Sequence, residues 1–312
     1  MRGVGVVNFG GPEALEVVEL DDVHAGAGQV RLRVHAATVN PTDTLHRNGS
    51  RAEMLRKDPP PYIPGMDVAG VIDEVGPDTD TDLAVGDAVM AMVIPTGSHG
   101  GYRESIVLAA DAVARSPRGA SHIEAATLPM NALTARRTLD ELELSPGDTL
   151  AITGAAGSYG GYVVQLAKAD GLLVIADASE IDTALVQSLG ADVVVPRGDD
   201  IADRILAVAP DGVDAVADGA VQNELTLAAI RDGGAYASVR FWEPEPQRGI
   251  TFHKTMVRDY DRRADLLETL AGQVDAGAVT LRVAATYPPE DAPEAHRRLE
   301  AGGTRGRLVI AF

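Results

Sequence analysis

Three glycines recurring every third residue, Gly154, Gly157 and Gly160, separate an apolar run over 150–153 from a helical pattern over 162–168. A second apolar run over 172–176 follows and ends on Asp177. A chain that leaves a strand through glycines and enters a helix can bind phosphate at the turn. Glycine allows a tight turn and a close approach of an anion to the main chain. The unpaired N–H groups and the positive dipole end of the new helix then receive the charge. A carboxylate ending the next strand can accept hydrogen bonds from a ribose. Strand, turn, helix, strand and acid together predict a dinucleotide-binding unit. In it Gly154, Gly157, Ser158, Tyr159 and Gly160 hold a pyrophosphate and Asp177 meets the ribose. The spacing departs from the usual G-x-G-x-x-G, with Ala155 or Ala156 near the middle position. Without its flanks, the glycine trio would read equally well as a plain tight turn.

The elements that must carry this turn change character along the chain. Up to about residue 115 the pattern is β-rich, with strands expected over 4–7, 15–20, 29–37, 68–75, 88–93 and 102–108. Turn sequences such as Gly10-Gly-Pro12 and Gly26-Ala-Gly28 separate them, which predicts a barrel-like or sandwich-like module. The proline-rich stretch over 57–65 can form no regular element. From about residue 120 the period becomes helical over 123–142, with an interruption near Pro129. Beyond the glycine turn, short strands over 172–176, 192–195, 215–217 and 235–239 alternate with helices over 182–189, 202–209 and 222–231. Such alternation predicts a parallel sheet. A helix over 260–276 leads to a mixed tail over 279–284, 290–300 and 308–310, expected to rejoin the first module.

Composition narrows the partners. The chain has 312 residues, enough for about two domains, and a formal net charge of −19. That charge argues against nucleic acid and anionic membrane surfaces. It also repels an anionic cofactor at long range, so binding must rest on local N–H groups and a few placed cations. There is no cysteine, which excludes disulfides, thiolate zinc sites and a cysteine nucleophile. No apolar run reaches the roughly 18 residues of a membrane span, and residues 1–8 read as a strand rather than a signal sequence. A soluble, cytoplasmic protein is expected.

Further motifs carry a resemblance. Ala36-Ala-Thr-Val-Asn40-Pro-Thr-Asp43, Pro64-Gly-Met-Asp-Val-Ala-Gly70-Val-Ile-Asp-Glu-Val-Gly76, Val85-Gly-Asp-Ala-Val89 and Ala125-Ala-Thr-Leu-Pro129 through Ala135 occur in order. The glycine turn, Leu189-Gly-Ala-Asp192 and the close from Ala295 to Ile310 follow. In this order the chain resembles the medium-chain dehydrogenase/reductase superfamily, and within it the zinc-independent quinone oxidoreductases. The resemblance covers nearly the whole chain. It implies an α/β architecture: a GroES-like β-barrel catalytic domain from 1–119 and 251–312, and a Rossmann doubly wound parallel-sheet domain from 120–250. Part of 251–278 is free to pack with the second domain. It further implies an active site between the domains and a homodimer or homotetramer.

The zinc-dependent relatives hold zinc with cysteine and histidine at positions that fall here on Asn40, Met66 and Pro129-Met130. None of these binds zinc well, and no metal is expected. The run Asp78-Thr-Asp80-Thr-Asp82 mimics the start of a calcium loop, but Leu83 and Val89 stand where glycine and glutamate are needed. Without a metal to polarise a simple ketone, the acceptor must be ready for hydride, such as a quinone or an α,β-unsaturated carbonyl. By resemblance Asn40 contacts the nicotinamide end or substrate, Thr42 takes the place of a relay hydroxyl and Asp43 holds neighbouring backbone. Thr134 would sit at a helix start near the carboxamide, with an N-cap role as the rival. Asp218, Gly219, Val239 and the Arg305-Gly306-Arg307 tail would line the cofactor site. His46, His99 and Tyr102 are candidate proton donors, with structural roles the stronger reading for each. The acceptor pocket would draw on 40–49, 51–62, 92–99, Met130 and 241–250.

For the cofactor, NADPH or NADH, the residues disagree. Asp177 and Glu180 disfavour a 2′-phosphate, and Asp182 and Pro196 stand where NADPH-using relatives carry lysine and tyrosine. Ser179 and Arg197 point the other way. The balance falls to NADH. The alternatives are an enoyl or polyketide-type C=C reductase, or a dinucleotide-binding sensor without turnover.

Overall fold

The computed structural model describes residues 1–240 and 242–312; Phe241, in the expected pocket stretch 241–250, lies outside the described residues. The chain divides into two compact units, Met1–Met130 with Arg258–Phe312, and Asn131–Val257.

The first unit opens with a two-stranded ribbon, β1 (Arg2–Val6) and β2 (Leu15–Glu19). It continues through β3 (Gln29–Thr38), α1 (Pro41–Arg47), α2 (Ala52–Leu55), β4 (Asp67–Val75), β5 (Ala88–Met92), β6 (Ser105–Ala109), β7 (Val113–Arg115) and α3 (His122–Ala125). Helix α4 (Pro129–Leu142) begins at its end and runs into the second unit. That unit holds β8 (Thr149–Thr153), α5 (Ser158–Ala169), β9 (Leu173–Ala178), α6 (Thr183–Ser188), β10 (Val193–Pro196), α7 (Ile201–Leu206), β11 (Val213–Asp218), α8 (Glu224–Leu227), β12 (Ile230–Ser238) and β13 (Thr251–Lys254). The chain then returns to the first unit with α9 (Ala264–Asp275), β14 (Val283–Tyr287), α10 (Ala292–Ala301) and β15 (Arg307–Ala311).

Alternation decides the first unit. Val30, Leu32 and Val34 of β3 point into a core shared with Val68, Ile72 and Ile310, while Arg31 and Arg33 face outward. The sheet order is β14-β15-β3-β4-β5-β7, with β6 also paired to β3. Two register shifts between β3 and β4 bend the long strand, so its first half pairs β6 and its end pairs β15. The last strand is thereby laid beside Thr38, where the candidate catalytic segment begins.

The second unit is a parallel sheet of order β10-β9-β8-β11-β12-β13. Numbered within the unit this is 3-2-1-4-5-6, the order of dinucleotide-binding sheets. Successive connections leave β8 and β11 in opposite directions, which opens a crevice at their carboxyl ends. The glycine turn follows β8 and Gly219 follows β11.

Several expectations shift. The helix expected over 222–231 shrinks to α8, because Ile230 already pairs with Val213. The strand expected over 279–284 forms later, as β14, where it pairs in parallel with β15. The short strands β7 and β13 gave no periodic signal. Strand β13 extends the parallel sheet and the second unit reaches Val257, within the stretch 251–278 left free to pack there, while α3 packs on β3, β4 and β5 and the first unit reaches Met130. Among the described residues, no helix is long and apolar enough to cross a membrane.

Candidate active site

The glycine turn is held from below by a carboxylate. Gly154 adopts φ +68°, in the left-handed region that glycine tolerates. Its N–H donates to Asp177 Oδ1 at 2.7 Å, and Ala155 N–H donates to the same oxygen at 3.3 Å. Gly157 N–H donates to Gly154 O at 2.9 Å, and Gly157 caps α5. A Cβ on Gly160 would lie 2.3 Å from Gly154 O, so the helix can meet the turn only through glycine. Ser158, Tyr159 and Gly160 therefore head α5 with N–H groups that its own ladder does not use. This cradle fits a pyrophosphate.

The side chains around it have more varied duties than expected. Tyr159 contributes to the cradle through its main chain only. Its hydroxyl hydrogen-bonds Thr138 Oγ1 on α4 at 2.8 Å, and its ring abuts Gly219, where a Cβ would sit 2.9 Å from the ring. Asp218 does not present a free carboxylate to a ligand. Its Oδ1 accepts from Thr153 Oγ1 at 2.5 Å, and its Oδ2 from Asn223 N and Tyr236 Oη at 2.7 Å each. Fully buried, it pins the ends of β8 and β11 together at the crevice. Gly219 N–H donates to Thr153 O at 3.2 Å in the same seam. Val239, half-buried, follows β12. Thr134 lies in the second turn of α4 rather than at its start, because the helix begins at Pro129; this removes the N-cap alternative.

Asp177 is buried, and its second oxygen, Oδ2, lies 3.4 Å from Nε of half-exposed Arg197. Ser179 Oγ donates to Asp182 Oδ2 at 2.5 Å, so its hydroxyl is spent locally.

In the first unit, Asn40 ends the β3 segment and caps α1. It has no exposed surface. Its Nδ2 donates to Asp67 Oδ2 at 2.8 Å and to Thr38 O at 3.3 Å, while Oδ1 accepts from Arg307 Nη2 at 2.6 Å. In this arrangement the amide is enclosed, with its nitrogen and its oxygen both engaged by neighbours. Thr42, half-buried in the first turn of α1, stays closer to solvent. Arg305 is exposed. Gly306, at φ +122°, lets the chain pass Arg282 O, which a Cβ would meet at 2.8 Å. Arg307 is buried against Asp67 at 2.9 Å. Sequence reasoning quoted Asp67 inside a motif but gave it no role. An acid opening an apolar strand needs buried partners, and that was the available signal.

Asp43 accepts from Asn40 N at 2.8 Å, Gly65 N at 2.9 Å and Tyr102 Oη at 3.0 Å. Tyr102 is wholly buried, which removes it as a donor to substrate. His46 is also buried, and burial with Arg51 nearby lowers its pKa to about 4. His99 is half-buried, its pKa lowered by burial and Arg103. Burial outweighs the three donors at Asp43 and, with Asp67 nearby, raises its pKa from 3.8 to about 6. A carboxyl whose pKa is raised in the fold keeps a proton that the unfolded chain has released. That stabilisation is present below 3.8 and is lost as pH rises through about 6. The stability of the wild type relative to Asp43→Asn is therefore expected to fall by about 2 kcal/mol between about pH 4.5 and 7.5. Urea unfolding of both proteins at the two pH values checks this. The histidines, whose lowered pKa values act in the opposite direction, are common to both chains.

The zinc of the alcohol-oxidising relatives does not fit these residues. Asn40 is saturated by neighbours, and Met66 and Met130 offer only thioethers. Among the described residues, no three His, Asp or Glu side chains gather to hold a metal ion.

Two family models match the chain. The family model of the alcohol dehydrogenase GroES-like domain matches residues 26–118, and that of zinc-binding dehydrogenases matches 189–310. The quinone oxidoreductase of Mus musculus is 30% identical over 99% of this chain and 97% of its own. The 2-methylene-furan-3-one reductase of Solanum lycopersicum is 27% identical over 99% of this chain and 79% of its own. The crystal structure of an NAD-dependent alcohol dehydrogenase superposes with a TM-score of 0.88 at 28% identity, covering 100% of both chains.

Proposed function

The chain belongs to the medium-chain dehydrogenase/reductase superfamily, in its quinone oxidoreductase branch, and from that premise we propose that it reduces a quinone or an α,β-unsaturated carbonyl with NADH and without zinc. The observation that carries this reading is the glycine cradle closed by Asp177, set at the crevice of a 3-2-1-4-5-6 parallel sheet. The similar mouse and tomato proteins, named for a quinone and an enone, supply the acceptor class.

A nicotinamide dinucleotide bound at the cradle supplies the hydride. The chain's own residues do the rest. The N–H groups of Ser158, Tyr159 and Gly160 hold the pyrophosphate. Asp67 and Arg307 fix the Asn40 amide, and Asp43 fixes its backbone. The reaction needs no protein nucleophile, and an acceptor already electrophilic needs no metal.

The case for NADH is electrostatic. A 2′-phosphate would meet the charge of Asp177, and Arg197, the cation that could offset it, already faces that carboxylate. Consumption of NADH and NADPH by chelator-treated protein, with a simple quinone and with an enone panel, tests the reading. NADH consumption with either acceptor supports it; binding of dinucleotide without consumption overturns it in favour of a sensor. Asp177→Asn keeps an acceptor for the turn and removes the charge. It is expected to raise the NADPH-to-NADH ratio of kcat/KM at least about tenfold; an unchanged ratio refutes the assignment of Asp177.

A further inference from the structure

Behind Asp43 lies a buried polar chain that the reaction itself does not use. Tyr102 Oη donates to Asp43 Oδ2 and lies 3.2 Å from His296 Nε2. His296 Nδ1 lies 3.3 Å from Arg47 Nη1, and Arg47 in turn pairs with Glu300 at 2.6 Å. Tyr102 and His296 are fully buried and Arg47 nearly so. Glu300, partly exposed, is where the chain reaches solvent.

The direction of every bond in this chain follows from one residue. Arginine has donors and no acceptor, so His296 Nδ1 must accept. The imidazole is then the neutral tautomer that carries its proton on Nε2, and Nε2–H donates to Tyr102 Oη. Burial and the Arg47 charge, which lower the His296 pKa to about 3, agree with a neutral ring. Tyr102 has a single hydrogen, which can go only to Asp43. The ionised Asp43 is thus an acceptor on both oxygens and can hold two backbone N–H groups, those of Asn40 and Gly65.

Those two N–H groups belong to the segments that meet at the Asn40–Asp67 contact, one leaving β3 and the other entering β4. Tyr102 is also seated on the second segment. Its N–H donates to Pro64 O at 3.0 Å, and a Cβ on Gly65 would lie 2.5 Å from its ring. The spacing of Asn40 from Asp67 is therefore set by Asp43, and the state of Asp43 by Tyr102, His296 and Arg47.

We infer that Arg47, His296 and Tyr102 are positioning residues for the reduction, a one-directional hydrogen-bond chain that holds Asn40 in working register through Asp43. The inference rests on the reaction proposed above and extends it to residues remote from the cofactor cradle in sequence. A misplacement of about 1 Å at a reacting site can cost about a hundredfold in rate, so such a chain would act on turnover more than on cofactor affinity.

Tyr102→Phe keeps the ring on Gly65 and deletes the hydroxyl. It is expected to lower kcat about tenfold with the KM for NADH changed less than about twofold. Hydrogen exchange of the Asn40 and Gly65 amides should accelerate at least about tenfold, with core strands unchanged. His296→Gln, which offers one donor and one acceptor, should recover most of the loss seen in His296→Leu. Unchanged exchange at Asn40 and Gly65 overturns the chain, and faster exchange with kcat intact overturns its positioning role. If the wild type consumes neither NADH nor NADPH with any quinone or enone, the reaction reading falls and the positioning role with it. Altered exchange in Tyr102→Phe would then show that failure to lie in the reaction and not in the chain.

Discussion

Asp67→Ala is expected to destabilise the first unit by about 3–5 kcal/mol. The carboxylate accepts from Thr38 Oγ1 at 2.5 Å, Met130 N at 2.6 Å, Asn40 Nδ2 at 2.8 Å and Arg307 Nη2 at 2.9 Å. Neither Asp67 nor Arg307 is more than 5% exposed. Alanine would leave a guanidinium buried without its counter-charge, and removing one partner of a buried pair costs far more than removing both. A second change, Arg307→Met, should therefore recover part of the loss instead of adding to it. Equilibrium urea unfolding of the two single variants and the double variant measures the coupling. Simple additivity of the two losses would show that the pair is not a unit. Because Asp67 also fixes the Asn40 amide, the double variant should remain a poor catalyst even where its stability returns.

The second large effect is expected at Gly160. Alanine normally favours a helix over glycine by about 1 kcal/mol, so Gly160→Ala would stabilise α5 if propensity decided. Here the added methyl would lie 2.3 Å from Gly154 O and 2.9 Å from Ala155 Cα, both main-chain atoms that cannot turn aside as a side chain would. The helix must retreat or the turn must open, and the N–H groups leave the positions that a pyrophosphate needs. NADH and NADPH affinity is expected to fall by about a hundredfold or more, about 3 kcal/mol, with far-ultraviolet dichroism unchanged. Fluorescence titration of each dinucleotide measures it. Affinity within a few-fold of the wild type would mean that this turn is not the binding cradle.

These two residues also mark where sequence reading succeeds and where it stops. Gly160 was legible because its constraint is local. The strand, the turn, the helix and Asp177 lie within one short stretch, and backbone sterics there depend on neighbours in the chain. The alternation of β3 and the strand–helix rhythm after residue 145 were legible for the same reason, and with them the two-module architecture. The short strands β7 and β13 were not, because each exists only by pairing with a longer strand.

The side chains around the candidate site obey no such locality. Arg307 meets Asp67 across 240 residues, and His296 meets Tyr102 across 194. No periodicity announces a pair whose members lie on strands brought together by a bend in β3. Hence the partners that enclose Asn40, read as a contact for the nicotinamide end or substrate, and those that tie Asp218, read as lining the cofactor site, across two strands were not foreseen, and Asp67 carried no role. The family, the fold and the glycine turn were determined by the order of residues, because turn chemistry and burial pattern act within a few positions. Which carboxylate faces which cation, and which group is left to meet a ligand, was decided only when tertiary packing removed water from those charges and obliged each to find a partner.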